Sequence, residues 1–318
     1  MSDLVQGSTT WTERGRRLRH PVSLRGSTEL RERVNWRLGE LVPAEDSHPP
    51  MLHQAMRYSL LAGGKRIRPL LTIQVAAEFG GPVDSALDPA CAIEMVHTAS
   101  LILDDLPCMD DAVQRRGKET NHRLFGEDTA ILAATALLNR AFAVIAECDS
   151  LDPGVRLELV RMMSDAVGSN GIIAGQFCDL QTDWGHMQDV AGLRKMYVQK
   201  TGALFVAAAE AGARVAGVED AWLQPVREFA VNLGLAFQIL DDLLDAVGAA
   251  DEIGKDTGQD ENKTTLLTRL GADEARLAVR RHLRSAASAL DPLGDSGMPL
   301  INLARSYTEP TMERVLCL

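Results

Sequence analysis

The chain has 318 residues, 46% of them hydrophobic and only 4% aromatic, which is enough for one large core and too apolar for wholesale disorder. So few aromatic side chains argue against a β-sandwich or barrel and for a helical protein. With 33 Lys and Arg against 44 Asp and Glu, the net charge is −11. That excludes a nucleic-acid binder and requires any anionic ligand to be held by local cations or metal ions against the overall field.

Residues 1–28 carry Arg14, Arg16, Arg17, Arg19 and Arg25 with few large apolar side chains, and read as a flexible tail without a signal peptide. From residue 29 the helical period persists, which predicts a single all-α domain over 29–318. Helices are expected at 29–41, 50–61, 67–79, 86–105, 127–147, 153–168, 170–182, 189–215, 220–246, 264–271, 273–290 and 297–307. Pro49-Pro50, Gly63-Gly64, Gly80-Gly81-Pro82, Pro107, Gly117, Asp152-Pro153, Gly185, Gly217 and Gly254 punctuate them. No hairpin turn chemistry stands out, and no apolar run reaches the roughly 20 residues of a membrane span. Stretches 127–147 and 203–216 are apolar on most faces, as suits a bundle centre or a subunit contact. The five cysteines are widely spaced without a CxxC pair, as expected of reduced thiols in a cytoplasmic protein.

The chemistry-bearing residues follow the same order. GGKRIRP (63–69) sets Lys65, Arg66 and Arg68 at a Gly-Gly turn opening a helix. Cations there oppose the helix dipole, so they serve an anionic ligand. His97 lies seven residues before Asp104 and so points nearly the same way. The stretch LILDDLPCMDDA then gathers Asp104, Asp105, Asp110 and Asp111. Pro107 interrupts the helix, and a bulge there can swing Asp110 back toward Asp104. Arg115, Arg116 and Lys118 follow, and Lys200-Thr201 interrupts an apolar helix. Gln238 lies one turn before Asp241 and Asp242, which with Asp245 belong to ILDDLLD. Lys255 and Lys263 flank a Gly-rich charged loop that could cover a phosphate. Like charges at these spacings repel. A hard divalent cation compensates them, and Mg²⁺ takes one or two carboxylates plus phosphate oxygens. Carboxylates facing a cavity rimmed by cations describe a diphosphate site.

GGKRIRP, DDLPCMD followed by RRGK, KTG, GQFCDL (175–180), FQILDDLLD and the lysine loop occur in the order seen in trans-prenyl diphosphate synthases. Over about residues 29–300 the chain resembles that family, most closely the bacterial carotenoid-pathway geranylgeranyl diphosphate synthases. The resemblance implies the isoprenoid synthase fold, a large helical bundle around a central cavity, in a homodimer. It implies three Mg²⁺ ions on Asp104, Asp105, Asp110, Asp241, Asp242 and Asp245. Isopentenyl diphosphate falls to Lys65, Arg68, His97 and Arg116. The allylic diphosphate falls to Arg115, Lys200, Lys255 and Lys263, and Thr201 and Gln238 stand near the developing cation. Small Ala99 and Ser100, one turn before Asp104, leave room for a twenty-carbon product, and the insertion of Pro107 and Cys108 goes with the same class. Leu103 where many relatives have His, Glu119 in place of a common Pro, and an end in Leu-Cys-Leu are departures that remove no metal ligand. Three other readings compete: farnesyl or longer-chain synthesis, a regulatory subunit that binds prenyl diphosphates without turnover, and a di-iron bundle using Glu94-x-x-His97 and Glu119-x-x-His122.

Overall fold

In a computed structural model of the chain, residues 27–181, 189–247 and 264–316 are described. Helices α1 (Ser27–Leu41), α2 (Pro50–Leu60), α3 (Ile67–Glu78) and α4 (Val83–Asp104) come first, α2 with proline in its first turn, where no N–H is needed. A small hairpin follows, β1 (Gln114–Arg115) antiparallel to β2 (Lys118–Glu119). After it come α5 (Asn121–Phe125), α6 (Glu127–Ala146), α7 (Pro153–Val167) and α8 (Ile172–Leu180). Next, α9 (Val190–Tyr197), capped by Asp189 accepting from the Gly192 N–H at 2.7 Å, runs into a π-helical turn, Val198–Gly202, and on into α10 (Ala203–Val215). The long α11 (Asp220–Val247), α12 (Leu266–Leu270), α13 (Ala272–Ala289), a 3₁₀ turn and α14 (Met298–Leu316) complete the described chain.

The all-α expectation holds, with four local differences. The hairpin was not anticipated, because its strands are two residues long and its turn is Arg116-Gly117. Both turn residues have positive φ, 55° and 72°, the twist a two-residue hairpin loop demands. The expected helix 189–215 is interrupted by the π turn. The last helix runs through Pro310 to Leu316 because its end is packed: Val315 is buried and its carbonyl accepts from Arg276 Nη2 at 3.1 Å. Finally, α4 and α6 are long and apolar enough, by length and composition, to cross a membrane, contrary to the sequence expectation. In the fold α4 is mostly buried in the core, while α6 buries one face and leaves Ile131 and Leu132 exposed. The tail expectation falls almost wholly on residues outside those described, and α1 already begins at Ser27.

Two apolar clusters form the interior. The larger joins α1–α4, α6, α10 and the first half of α11, with Phe205, Phe229, Leu71 and Ile93 fully buried. The smaller joins α9, the second half of α11, α12 and α13 around Leu243, Ile239 and Val279. A cavity of about 780 Å³ draws its walls from both, Ile67 and Ile172 on one side and Met196 and Tyr197 on the other. Two glycines set how closely its walls approach. A Cβ on Gly175 would lie 2.2 Å from the Lys200 backbone nitrogen, and one on Gly234 would lie 2.9 Å from the Gly202 Cα. Only glycine lets α8 and α11 rest directly on the π turn.

Candidate functional site

The first aspartate wall is the C-terminal end of α4. Its apolar residues Ile93, Met95 and Ile102 are buried, so the helix end is held rigidly. Beyond it the chain folds back on its own backbone. The Asp110 N–H donates to the Asp104 carbonyl at 2.9 Å, Asp111 to Leu106 at 3.1 Å and Ala112 to Asp105 at 3.2 Å. This is the bulge that Pro107 implied, and it puts Asp104 and Asp110 together on the cavity. Successive helical residues point about 100° apart, and on this wall packing turns the neighbouring aspartate away from the cavity. Asp105 is 3% exposed and lies outside the cavity lining, its Oδ1 accepting from Arg115 Nε at 2.9 Å and Nη2 at 2.6 Å. Ser100 lines the cavity, whereas Ala99 is buried behind it. Burial pushes the Asp104 carboxyl up to about 6, with the Lys200 ammonium pulling it down and Asp110 pushing it further up.

The facing wall is the end of α11 with the π turn beside it. Gln238, Asp241, Asp242 and Asp245 all line the cavity, as do Lys200 and Thr201. The Lys200 ammonium lies 2.6 Å from Asp179 Oδ2. Burial lowers Lys200, but Asp179, Asp104 and Asp110 outweigh it and hold the ammonium above its ordinary value. The Thr201 hydroxyl donates to Gln238 Oε1, and Gln238 Nε2 donates to Asp242 Oδ1 at 3.0 Å. The other oxygen of Asp242 accepts from the Tyr197 hydroxyl.

The third wall is basic. Arg68 Nη1 is 3.3 Å from His97 Nε2, and the guanidinium sits over the Phe205 ring at 4.5 Å. Lys65 Nζ lies 5.4 Å from the Phe237 ring centre. Arg116 donates to the Gly63 carbonyl at 2.8 Å. Burial, then the charges of Arg68, Arg116, Arg115 and Arg66, hold His97 well below its ordinary value, so it is a neutral hydrogen-bonding group at pH 7. Burial also lowers Arg68 to about 10. Arg66, expected beside Lys65 and Arg68 at the anion site, turns inward instead. Its guanidinium is fully buried, 2.6 Å from Glu94 and 2.6 Å from the Leu60 carbonyl. Glu94 also lies 3.7 Å from Arg116. One buried carboxylate thus stands behind several arginines, and the surplus positive charge calls for an anion.

Of the residues named from sequence, Lys65, Arg68, His97, Ser100, Asp104, Asp110, Arg115, Arg116, Lys200, Thr201, Gln238, Asp241, Asp242 and Asp245 share this one cavity. Lys255 and Lys263 lie outside the described residues. Among the described residues, no three His, Cys, Asp or Glu side chains converge closely enough to hold an ion by themselves. Oxygen donors in separated groups suit Mg²⁺, which fills the rest of its shell with water and phosphate oxygens. They do not suit a di-iron cage: Glu94 is spent on Arg66, and Glu119 is exposed on β2. Sequence reasoning gave no role to Asp179 or Tyr197. GQFCDL was recognised as a motif, but nothing local says that its aspartate meets Lys200. Tyr197 is four residues before Thr201, a same-face spacing that could have flagged it, and a buried phenol needs a partner.

The chain matches the polyprenyl synthetase family over residues 49–290. It is 45% identical over 249 residues to a farnesyl diphosphate synthase of Geobacillus stearothermophilus, covering 75% of this chain and 84% of that one. It is 42% identical over 283 residues to the chloroplastic heterodimeric geranylgeranyl pyrophosphate synthase large subunit 1 of Arabidopsis thaliana, covering 86% and 75%. The crystal structure of a geranyltransferase from Helicobacter pylori, complexed with magnesium and isoprenyl diphosphate, superposes with a TM-score of 0.78 at 28% identity, covering 94% and 100%.

Proposed function

This chain belongs to the polyprenyl synthetase family and is a prenyltransferase with the isoprenoid synthase fold; from that premise we propose that it joins isopentenyl diphosphate to an allylic diphosphate, with Mg²⁺, to give geranylgeranyl diphosphate. The observation that carries this reading is a single cavity shared by two aspartate walls and a basic wall.

In the proposed reaction the allylic carbon–oxygen bond breaks and diphosphate leaves with the electron pair. The double bond of isopentenyl diphosphate attacks the resulting cation, and the proton then lost passes to the departing diphosphate. Asp104, Asp110, Asp241, Asp242 and Asp245 would hold Mg²⁺, three ions by resemblance, and Asp105 would act on the same wall by anchoring Arg115. Bound Mg²⁺ would neutralise charge on the leaving group. Lys200 and Arg115, with Lys255 and Lys263, would grip the allylic diphosphate. Lys65, Arg68, His97 and Arg116 would grip isopentenyl diphosphate, His97 adding a hydrogen bond without adding charge. Thr201 and Gln238, bonded to each other, would present fixed dipoles to the cation. Apolar lining such as Leu101, Ile172 and Met196 would keep water from quenching it.

Product length follows from Ser100, whose small side chain faces the cavity and whose hydroxyl is turned back to the His97 carbonyl at 2.9 Å. A chain growing along α4 passes it and stops later than fifteen carbons. A homodimer would cover the exposed apolar residues Ile131 and Leu132 of α6. The test is radiolabelled isopentenyl diphosphate with Mg²⁺ and each of dimethylallyl, geranyl and farnesyl diphosphate, read by chromatography. A twenty-carbon product supports the reading, and a fifteen-carbon or longer product corrects the length. No elongation, with altered product from an added synthase, replaces it with the regulatory-subunit reading.

A further inference from the structure

The π turn carries Lys200 and Thr201, and the end of α11 carries Asp241, Asp242 and Asp245. A diphosphate bound between them needs the two pieces in fixed register, because charge placed about an ångström away from its ideal position loses much of its effect. Tyr197 stands at the joint. It is the last residue of α9, 3% exposed, and its ring packs in the smaller core. Its hydroxyl donates to Asp242 Oδ2 and accepts from the backbone N–H of Leu266, the first residue of α12, at 3.1 Å. A phenol has one proton to give, so Tyr197 has spent its donor on Asp242. Asp242 is 4% exposed, and its remaining oxygen accepts from Gln238. One hydroxyl therefore ties three segments together: the helix leading into Lys200, the acidic end of α11 and the start of α12.

We propose that Tyr197 is a positioning residue, fixing Asp242 and with it the register between Lys200 and the Asp241–Asp245 turn, and linking that turn to the N-terminus of α12. The inference rests on the diphosphate reading of the cavity. It predicts that an anion drawn onto this turn tightens the Tyr197–Leu266 contact, and that losing the hydroxyl weakens the allylic half of the site and leaves the isopentenyl half alone. The isopentenyl half is built on α3, α4 and the hairpin, whereas the Tyr197 hydroxyl bonds to Asp242 on α11 and Leu266 on α12.

Tyr197→Phe removes one oxygen and keeps the ring. The readouts are Mg²⁺–pyrophosphate binding by calorimetry and steady-state kinetics. Pyrophosphate affinity and kcat should each fall about tenfold, the scale of one hydrogen bond to a charged group, with the KM for isopentenyl diphosphate unchanged. Because the tyrosine acts through Asp242, Tyr197→Phe should add little to the binding defect of Asp242→Asn in the double variant. In the unaltered protein, Mg²⁺–pyrophosphate should slow amide exchange across Leu266–Leu270, a measurement that survives even if the variant folds poorly. A variant with lower Tm but native affinity and kinetics, additive double-variant losses, or exchange in α12 unmoved by pyrophosphate would overturn the inference. If the unaltered protein neither elongates a primer nor binds pyrophosphate, the functional reading itself fails. If it does both and Tyr197→Phe matches it, only the role of Tyr197 fails.

Discussion

The backbone amide of Asp110 reaches back six residues to the carbonyl of Asp104, 2.9 Å away, and so brings two carboxylates to one edge of a cavity although the helix between them has ended. Their proximity is unfavourable in isolation. Asp110 adds to the resistance of Asp104 to ionisation, and burial is the larger cause that pushes the Asp104 carboxyl up to about 6. Asp104→Asn removes that conflict, so it should leave Tm unchanged or higher while lowering kcat by about a hundredfold or more. Paired thermal melts and initial rates check both halves of the statement.

Ala99 and Ser100 separate a core residue from a cavity residue. Phenylalanine at Ser100 enters the cavity and should shift the product toward fifteen carbons with a small change in Tm. Phenylalanine at Ala99 has only packed core to enter and should cost about 1–3 kcal/mol through overpacking. Chromatography of products beside melting curves distinguishes the two, and a shortened product from Ala99→Phe alone would count against the assignment of faces.

Glu94 holds Arg66 at 2.6 Å with both side chains essentially excluded from water. Glu94→Gln leaves a buried guanidinium without its counter-charge, and the expected loss is about 3–5 kcal/mol in urea unfolding. Arg116 leans on the same carboxylate, so the KM for isopentenyl diphosphate should rise in whatever fraction remains folded.

Burial and then four arginines hold His97 below its ordinary 6.5 in the folded state. Below that value the unfolded chain takes up a proton before the folded one, so stability is lost as pH falls from about 7 toward the lowered value. His97→Gln cannot titrate. The stability difference between the unaltered protein and this variant should therefore be flat above pH 7 and turn against the unaltered protein as pH drops to about 5. A difference independent of pH would show that His97 titrates normally.

Much of this site was legible because apolar periodicity and Gly/Pro punctuation mark helices well. Two aspartate runs at the ends of apolar helices also have few explanations other than a cation. The hairpin escaped notice because two-residue strands carry no alternation, and its turn uses Arg116 where Asn or Gly would have signalled it. Asp105 shows a limit of motif reading. Spacing groups it with Asp104, but one residue of helix is 100° of rotation, and only packing decides which neighbour turns inward. The partners of Asp179 and Tyr197 were hidden for a different reason, although the spacing of Tyr197 to Thr201 was a local hint. These partners lie 21 and 45 positions away, and no local pattern encodes such a meeting.

The π turn at Val198–Gly202 closes a loop of five residues, the Ala203 N–H donating to the Val198 carbonyl. It holds one residue more than regular α-helical geometry would allow there. Removing a single residue from this stretch would let the helix run unbroken from α9 to α10, with better internal bonding and Lys200 and Thr201 swung about a quarter-turn off their target. The protein therefore keeps an irregularity that helix formation by itself would erase, and homologous chains one residue shorter at this point should be tidier helices and poorer catalysts.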